Sequence, residues 1–558
     1  MATKTTGASY FANLLKAYGV DHVFFMDAVL RRALAEMEDF GIRRILCHSE
    51  KGVGYMADGY ARIAGKPGIA MAQSVGAANL AAAMQDPYLG HSPVIAYTGR
   101  HVSAMQYRNA YQEVDHAPLF ESVTKFSARM DLIEQMPHLM RQAFREATTG
   151  TPRPVHIDVA GFTGDAITPL ECNFAVEVDD AHTRFPAFRP QPDPMALERA
   201  VAVISRAERP VIYADRGVTI SGASEALQAL AERIQAPVVV TLDAKTSIAE
   251  SHALFRGPAG LYGRSCANHS VDEADLVIFA GSNTSDHTTG YWKMPRPGTP
   301  VVHIDIDPVE IGRNYPNTTG LLCDVRAGLE ALARATPAQR HDDWLARTRK
   351  YAEDWYAEAE IRRNSDHIPL RPERLCRELN AVLPDDAILV ADTGFSAIWS
   401  GNMVYMNNPG QQYMRAAGSL GWSFPAALGA QCAAPGRTVV CFVGDGGFYY
   451  HLPELETARR WGLNVIVVVN NNRCLAQGVR SLTIAYGEHN KERMGECFEY
   501  RDTDFAKVAQ AFDCFGATVE KPQEFAGAFE RARASRLPAV IDVKTEFAYQ
   551  APMAWLPT

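Results

Sequence analysis

Two apolar runs rich in β-branched residues, Arg437 to Val443 and Val465 to Val469, are separated by one helix-length stretch, and each ends in residues a buried strand does not need for packing. The first ends in Gly444-Asp445-Gly446-Gly447, the second in Asn470-Asn471-Asn472. Pro453 predicts a helix start just after His451, and Leu452, Leu455 and Ala458 follow at helical spacing up to Trp461. Strand, helix and strand in this order form a βαβ unit, so both polar ends lie at the carboxyl edge of one parallel sheet, where such sheets hold ligands. The glycines let the backbone turn tightly and approach that ligand.

The residue types at the edge point to a metal and a phosphate. A hard divalent cation takes oxygen ligands in an octahedral array, usually one carboxylate with phosphate oxygens and water. Asp445 supplies the carboxylate, and an amide oxygen of the Asn run supplies a neutral ligand. The amides of Gly446 and Gly447, at the approach to a helix N-terminus, suit phosphate oxygens without any lysine. Gly-Asp-Gly alone is also a common hairpin signal; followed by the strand-borne Asn run, it reads as a magnesium and diphosphate anchor. For Asn470 and Asn471 a role as plain polar strand-end residues is an equal reading.

The same alternation recurs along the 558 residues, enough chain for three or four domains. Residues 1 to 183 end in the buried strand Arg153 to Ala160, and a proline-rich linker runs from Arg184 to Pro194. Residues 195 to 340 contain strands at Pro210 to Ala214, Ala236 to Thr241, Asp275 to Ala280 and Val301 to Asp307. A charged stretch, His341 to Asp366, reads as a solvated helix and linker, and residues 367 to 558 carry the metal site. The expected fold class is α/β, three doubly wound parallel-sheet domains. The formal charge of −9, from 55 Lys and Arg against 64 Asp and Glu, gives no basic stripe for nucleic acid and no polybasic segment for a membrane. The ten cysteines are scattered singly, as in reduced thiols. No apolar stretch is long enough to span a bilayer, and the segment Met1 to Ala8 lacks the apolar core of a leader, so the cytoplasm is the expected compartment.

At the anchor the chain resembles the thiamine diphosphate-dependent superfamily of acetolactate synthase, pyruvate oxidase and benzoylformate decarboxylase, over nearly its whole length. The resemblance implies that Asn472, 27 positions after Asp445, is the metal-binding amide and that the backbone carbonyl of Cys474 is the third protein ligand. It also places Gly444, Gly446, Gly447 and Ser396 against the cofactor. A second motif, Glu50 with Gly52, Met56, Ala57, Gly59, Tyr60, Ala61 and Arg62, matches the segment that carries the family's activating glutamate. Glu50 sits after the apolar strand Ile42 to Cys47 and before a helix rich in small residues; in isolation it reads first as a carboxylate at a helix start, favoured by the macrodipole. The resemblance assigns it to the aminopyrimidine: a carboxyl sharing a proton with the ring nitrogen lets the cofactor's own amine act as base toward the weakly acidic thiazolium carbon. Gly418-Ser419-Leu420-Gly421 matches the family segment in which a large apolar side chain wedges between the two rings, here Leu420, and in which the carbonyl of Gly418 accepts from the amine. Family architecture further implies a two-fold dimer or a dimer of dimers, with the first domain of one subunit facing the third domain of its partner.

Departures from the family pattern bear on the substrate. The chain has Gln73 to Asn79 where the family often has Ser-Gly-Pro-Gly, and Phe24 to Val29 where it has a Gly-x-Pro-Gly loop; both segments are expected to face the substrate. Asn109 to Glu113, with Lys125 downstream, resembles an acetolactate synthase segment and makes Gln112 a substrate contact beside Gln73. The tryptophan with which acetolactate synthases select a second 2-oxo acid is Ser481. His48, His91, His101, His116 and His451 are single, without a catalytic His-His pair, and each reads first as a hydrogen-bonded structural residue. Gly281 to Gly290 resembles a flavin-holding segment, but Asn283 stands where an arginine is expected, so FAD is expected to be absent. The expected function is magnesium- and thiamine diphosphate-dependent cleavage or ligation of a carbon-carbon bond in a small 2-oxo acid or related ketone, similar to acetolactate synthase. A 2-oxo acid decarboxylase, a carbon-carbon hydrolase or an acyl-CoA lyase are the alternatives, with an inactive cofactor-binding regulator as the reading from another class.

Overall fold

A computed structural model describes residues 4–487 and 491–558. The first three residues of the amino-terminal segment considered above lie outside the described residues. Three six-stranded sheets follow one another along the chain, and every strand pair within them is parallel. The first has the spatial order Arg43–Leu46, His22–Phe25, Gly68–Gln73, Val94–Arg100, Val155–Ala160, Phe126–Met130. The second runs Phe255–Pro258, Val238–Val240, Pro210–Ala214, Leu276–Ala280, Val301–Asp305, Thr318–Leu322. The third runs Gln412–Arg415, Ile388–Ala391, Val439–Gly444, Ile466–Asn471, Ala539–Lys544, Phe515–Val519.

Each order reverses direction near its middle, the first and third again at their last strand, and at the first reversal the crossovers on either side leave a crevice at the strands' carboxyl ends. In the third sheet the switch falls between Ile388–Ala391 and Val439–Gly444, so Asp392-Thr393-Gly394 and Gly444-Asp445 face each other across it. Register then brings the second strand end alongside, with Gly444 opposite Asn470. In the second sheet the switch lies between Pro210–Ala214 and Leu276–Ala280, leaving Asp215 and Gly281 at the crevice.

Helix Glu50–Ala64 from the first layer and helix Ser423–Ala433 from the third pack with backbones in near contact. A Cβ on Gly59 would fall 2.0 Å from the Ala426 carbonyl oxygen, and one on Gly429 would fall 2.0 Å from that of Met56. Small residues are therefore required on both helices, which joins the first and third units through one apolar core containing Met56, Ala57, Ala426, Ala427 and Trp422. The charged stretch after the second sheet is a 22-residue helix, Asp342–Arg363, whose last turn holds Arg363 against the Tyr405 ring. The stretch between the anchor strands is divided: a five-residue helix, Asp445–Tyr449, precedes Glu454–Trp461, because Pro453 has no amide with which to continue a helix begun at Asp445. Leu455 and Ala458 are buried as their spacing predicts. No helix among the described residues is long and apolar enough to cross a membrane, and nine of the ten cysteines are buried and free.

Candidate active site

A cavity of about 500 Å³ opens at the switch point of the third sheet. Its lining includes Ser396, Gly418, Leu420, Gly444, Asp445, Gly446, Gly447, Asn472 and Cys474, so the carboxyl-terminal residues singled out in the sequence come together on one space. Asp445 begins its helix and is 2% exposed. Its Oδ1 accepts the Gly446 amide at 2.8 Å, whereas Oδ2 is buried and finds no partner among the described residues. Burial pushes this carboxyl up to about 7, against the lowering effect of nearby backbone amides, that of Gly446 first. A buried carboxylate in that condition suits a cation as its partner.

The neighbours suit a magnesium ion that arrives with phosphate. Among the described residues no cluster of three or more His, Cys, Asp or Glu side chains could hold a metal unaided; one carboxylate, one amide and one carbonyl leave octahedral positions for phosphate oxygens and water. Among the described residues, Asn472 Oδ1 has only the Cys474 amide, at 3.3 Å. Asn471 is committed elsewhere, donating to Asp542 Oδ1 at 2.8 Å and to the Thr503 carbonyl at 3.2 Å. Asn470 lines the cavity with a buried Oδ1 that finds no partner among the described residues. The glycines are tight: a Cβ on Gly446 would meet the Leu475 side chain at 2.6 Å, and one on Gly447 would meet Val443 at 3.0 Å. A Cβ on Gly418 would meet nothing within 4 Å among the described residues, so Gly418 borders open space.

Two buried carboxylates hold the Gly418 to Gly421 segment, and neither stood out in the sequence. Asp392 accepts the amides of Gly421 and Ser423, each at 3.0 Å, and the Ser423 hydroxyl at 2.6 Å. Asp86, on helix Gly76–Leu89 of the first layer, accepts the amides of Ala417, Gly418 and Ser419 at 2.9, 3.2 and 2.9 Å. The signal for Asp392 was present, since the run Asp392-Thr393-Gly394 ends a strand as Gly444-Asp445 does. Asp86 carried no local signal. The cavity wall also includes Tyr262 from the second unit, whose hydroxyl accepts from Gln477 Nε2 at 2.6 Å, and Trp399, whose buried Nε1 has no partner among the described residues.

Glu50, Gln73 and Gln112 are not on this cavity. They form a second group at the carboxyl edge of the first sheet. Ser49 caps the helix, accepting the Gly52 amide at 2.9 Å, and Glu50 follows as its first residue, half-buried. Glu50 Oε2 accepts from Asn79 Nδ2 at 3.1 Å, and a Cβ on Gly76 would fall 2.5 Å from Oε1, so the Gln73 to Asn79 segment is shaped against this carboxylate. Gln73 donates to Gln112 at 3.2 Å. Of the segment Phe24 to Val29, Phe24 and Val29 are core residues and only Asp27 is exposed, because Phe24 lies within a central strand. Lys125 is held by the carbonyls of Thr149 and Thr151.

Four of the five single histidines have structural partners among the described residues; none is found for His91. His48 pairs with Glu456 at 2.7 Å, His101 Nε2 meets the Tyr111 carbonyl at 2.6 Å, and buried His116 meets Asp158 at 3.0 Å. His451 is buried beside Ser49, 3.5 Å from its hydroxyl, and burial holds it down to about 4.

A second cavity, about 400 Å³, lies at the switch point of the middle sheet. Asn283 lines it, with His91, Asp215, Arg216, Asp243 and Arg415. Both guanidiniums are spent on one carboxylate, Arg216 at 2.6 Å and Arg415 at 2.9 Å from Asp243. Burial and neighbouring arginines hold His91 well below its ordinary value. A dinucleotide diphosphate would find no unpaired guanidinium among the described residues of this wall.

Comparison with known proteins agrees with this arrangement. Residues 5–119 match the thiamine pyrophosphate enzyme N-terminal TPP binding domain, residues 197–332 the central domain, and residues 392–543 the C-terminal TPP binding domain. A probable acetolactate synthase large subunit of Methanocaldococcus jannaschii is 31% identical over 98% of this chain and 93% of its own length. The acetolactate synthase isozyme 1 large subunit of Escherichia coli is 32% identical over 84% of this chain and 82% of its own. The acetolactate synthase large subunit of Corynebacterium glutamicum is 31% identical over 97% and 86%.

Proposed function

The chain belongs to the thiamine pyrophosphate enzymes of the acetolactate synthase-like superfamily, and from that premise we propose that it uses magnesium-bound thiamine diphosphate to cleave or form a carbon-carbon bond beside the carbonyl of a 2-oxo acid or related ketone. The observation that carries this reading is the unpaired, buried Oδ2 of Asp445 on a cavity shared with Asn472, Cys474, Gly418 and Leu420. Asp445, Asn472 Oδ1 and the Cys474 carbonyl would hold the metal, and Gly446 and Gly447 would let diphosphate approach the backbone. Leu420 would fix the bend between the two rings, and Gly418 would accept from the aminopyrimidine. When bound, the cofactor supplies a stabilised carbanion equivalent at its thiazolium carbon. Glu50 would share a proton with the aminopyrimidine nitrogen.

The separation of Glu50 from the Asp445 cavity supports a two-fold dimer in which each site takes Glu50, Gln73 and Gln112 from one subunit and the metal anchor from the other. FAD is not part of the proposal: Asn283 stands where an arginine is expected and both arginines of the middle cavity are paired with Asp243, so purified protein is expected to lack stoichiometric flavin absorbance. Simple 2-oxo acid decarboxylation is the second reading; it rests on Ser481 in place of the expected tryptophan, and Ser481 is exposed and off the Asp445 cavity, whose wall here is Leu482.

The test is turnover by the magnesium- and cofactor-loaded enzyme across a panel of 2-oxo acids, following carbon dioxide release and carboligation products together. Consumption that requires both additions is the expected result. A protein that binds the cofactor yet turns over no 2-oxo acid or ketone would move the assignment to the inactive binder.

A further inference from the structure

We propose that Asp86 is a positioning residue for the cofactor: through three backbone amides it holds the Ala417 to Ser419 loop, so that helix Gly76–Leu89 of the first layer sets the placement of Gly418 and Leu420 in the third. The proposal rests on the reading of Gly418 and Leu420 as cofactor contacts. That loop lies between strand Gln412–Arg415 and helix Ser423–Ala433, outside regular structure, so no ladder bonds fix it. A carboxylate facing several converging amides is a strong, directional anchor, because charge-assisted bonds are shorter and stronger than neutral ones.

Asp86 is itself immobilised. It is 1% exposed, and its Oδ1 also accepts from Arg62 Nη2 at 3.3 Å. Arg62 is clamped in turn: it donates twice to Asp58, at 2.8 and 2.7 Å, and its Nη1 donates to the Arg415 carbonyl at 2.9 Å. Trp422 donates to Asp58 at 2.9 Å under the Arg62 guanidinium. Arg415 then pairs with Asp243, which also holds Arg216. Asp58, Asp86 and Asp243 thus balance Arg62, Arg216 and Arg415 in one network drawn from all three units, and the loop hangs from its first-layer end. Stiffness at a junction where three units meet is delivered to two residues that need placement to a fraction of an ångström.

The donor pattern makes the carboxylate irreplaceable by its amide. Ala417 N and Arg62 share Oδ1, while Gly418 N and Ser419 N share Oδ2. In either orientation an asparagine would turn its own N–H groups toward at least one of these donors.

Asp86→Asn and, as control, Asp58→Asn separate positioning from general stability, since Asp58 belongs to the network but touches none of the three loop amides. Two measurements are needed. Hydrogen exchange of peptides spanning 416–421 is followed in the protein without cofactor, and thiazolium proton exchange is followed with magnesium and thiamine diphosphate bound, beside calorimetric affinity. Asp86→Asn should speed loop exchange and slow thiazolium exchange, each by at least ~10-fold, with affinity within ~3-fold of wild type; Asp58→Asn should do neither. Unchanged loop protection in Asp86→Asn, or equal effects in Asp58→Asn, would overturn the proposal. If Asp86→Asn does not fold, the wild-type loop decides: amides of Ala417 to Ser419 exchanging as fast as exposed loops would refute the anchor. Failure of wild type to bind the cofactor would instead reject the reading of the site, while loop exchange still reports on Asp86.

Discussion

Asn471 donates its side-chain amide to Asp542 Oδ1 at 2.8 Å, and that bond separates it from its two neighbours in the Asn run. Asn470 and Asn472 line the cavity beside Asp445; Asn471 ties its strand to the next, where it pairs with Lys544 in register. Asp445→Ala and Asn472→Ala should therefore weaken magnesium-dependent cofactor affinity by at least ~10-fold with the fold intact. Asn471→Ala should lower thermal stability, by about 1–3 kcal/mol for the partner left short of a donor, with little effect on affinity. Calorimetry and thermal melts on the three variants check the division.

Glu50→Gln keeps size and the bond to Asn79 but cannot share an acidic proton. Thiazolium proton exchange in deuterated water should slow by ~10²–10⁴-fold while the cofactor stays bound. Quenched-flow NMR measures this step without a known substrate, and a wild-type rate would remove Glu50 from the chemistry.

Glu50→Gln and Asp445→Ala subunits should complement each other. If each site draws on both subunits, a mixed dimer keeps one unaltered site, and an equal mixture after subunit exchange should regain about a quarter of wild-type activity. No recovery, with mixed dimers demonstrated, would mean that each site is built within one chain.

With pyruvate and 2-oxobutyrate offered together, Ser481 should confer no strong preference for 2-oxobutyrate as acceptor, as read from the product ratio. Ser481→Trp should raise that preference by about 1–3 kcal/mol, the usual worth of one methylene in an apolar pocket.

Asp305 gives a pH dependence of stability. Burial, with the charges of Glu310, Asp307 and Asp215, raises its carboxyl from 3.8 to about 7. Between those values the folded state binds more protons than the unfolded state, so stability falls as pH rises through the window, by at most roughly 4 kcal/mol. Asp305→Asn should flatten that fall between pH 4 and 7 in thermal melts, with no change in cofactor affinity.

Much of this was legible in the chain because it is local. The apolar runs, their terminal glycines and acids, and the Asn run determine a parallel sheet with a ligand at its carboxyl edge, since strand period and turn chemistry act within a few residues. The motif from Glu50 to Arg62 pointed to the cofactor class, and its small residues now have a physical role, letting two helix backbones touch at Gly59 and Ala426. Tertiary structure alone decided the rest. Asp86 and Ser419 are 333 residues apart, and Tyr262 and Gln477 are 215 apart. A buried carboxylate is written with the same letter as a solvated one, and which amides it accepts is set only when sheets from different parts of the chain pack together. The same holds for the Asn run: the chain presents three equivalent amides, and only the register of strand Ile466–Asn471 beside Ala539–Lys544 turns Asn471 toward Asp542 and leaves its neighbours to the cavity.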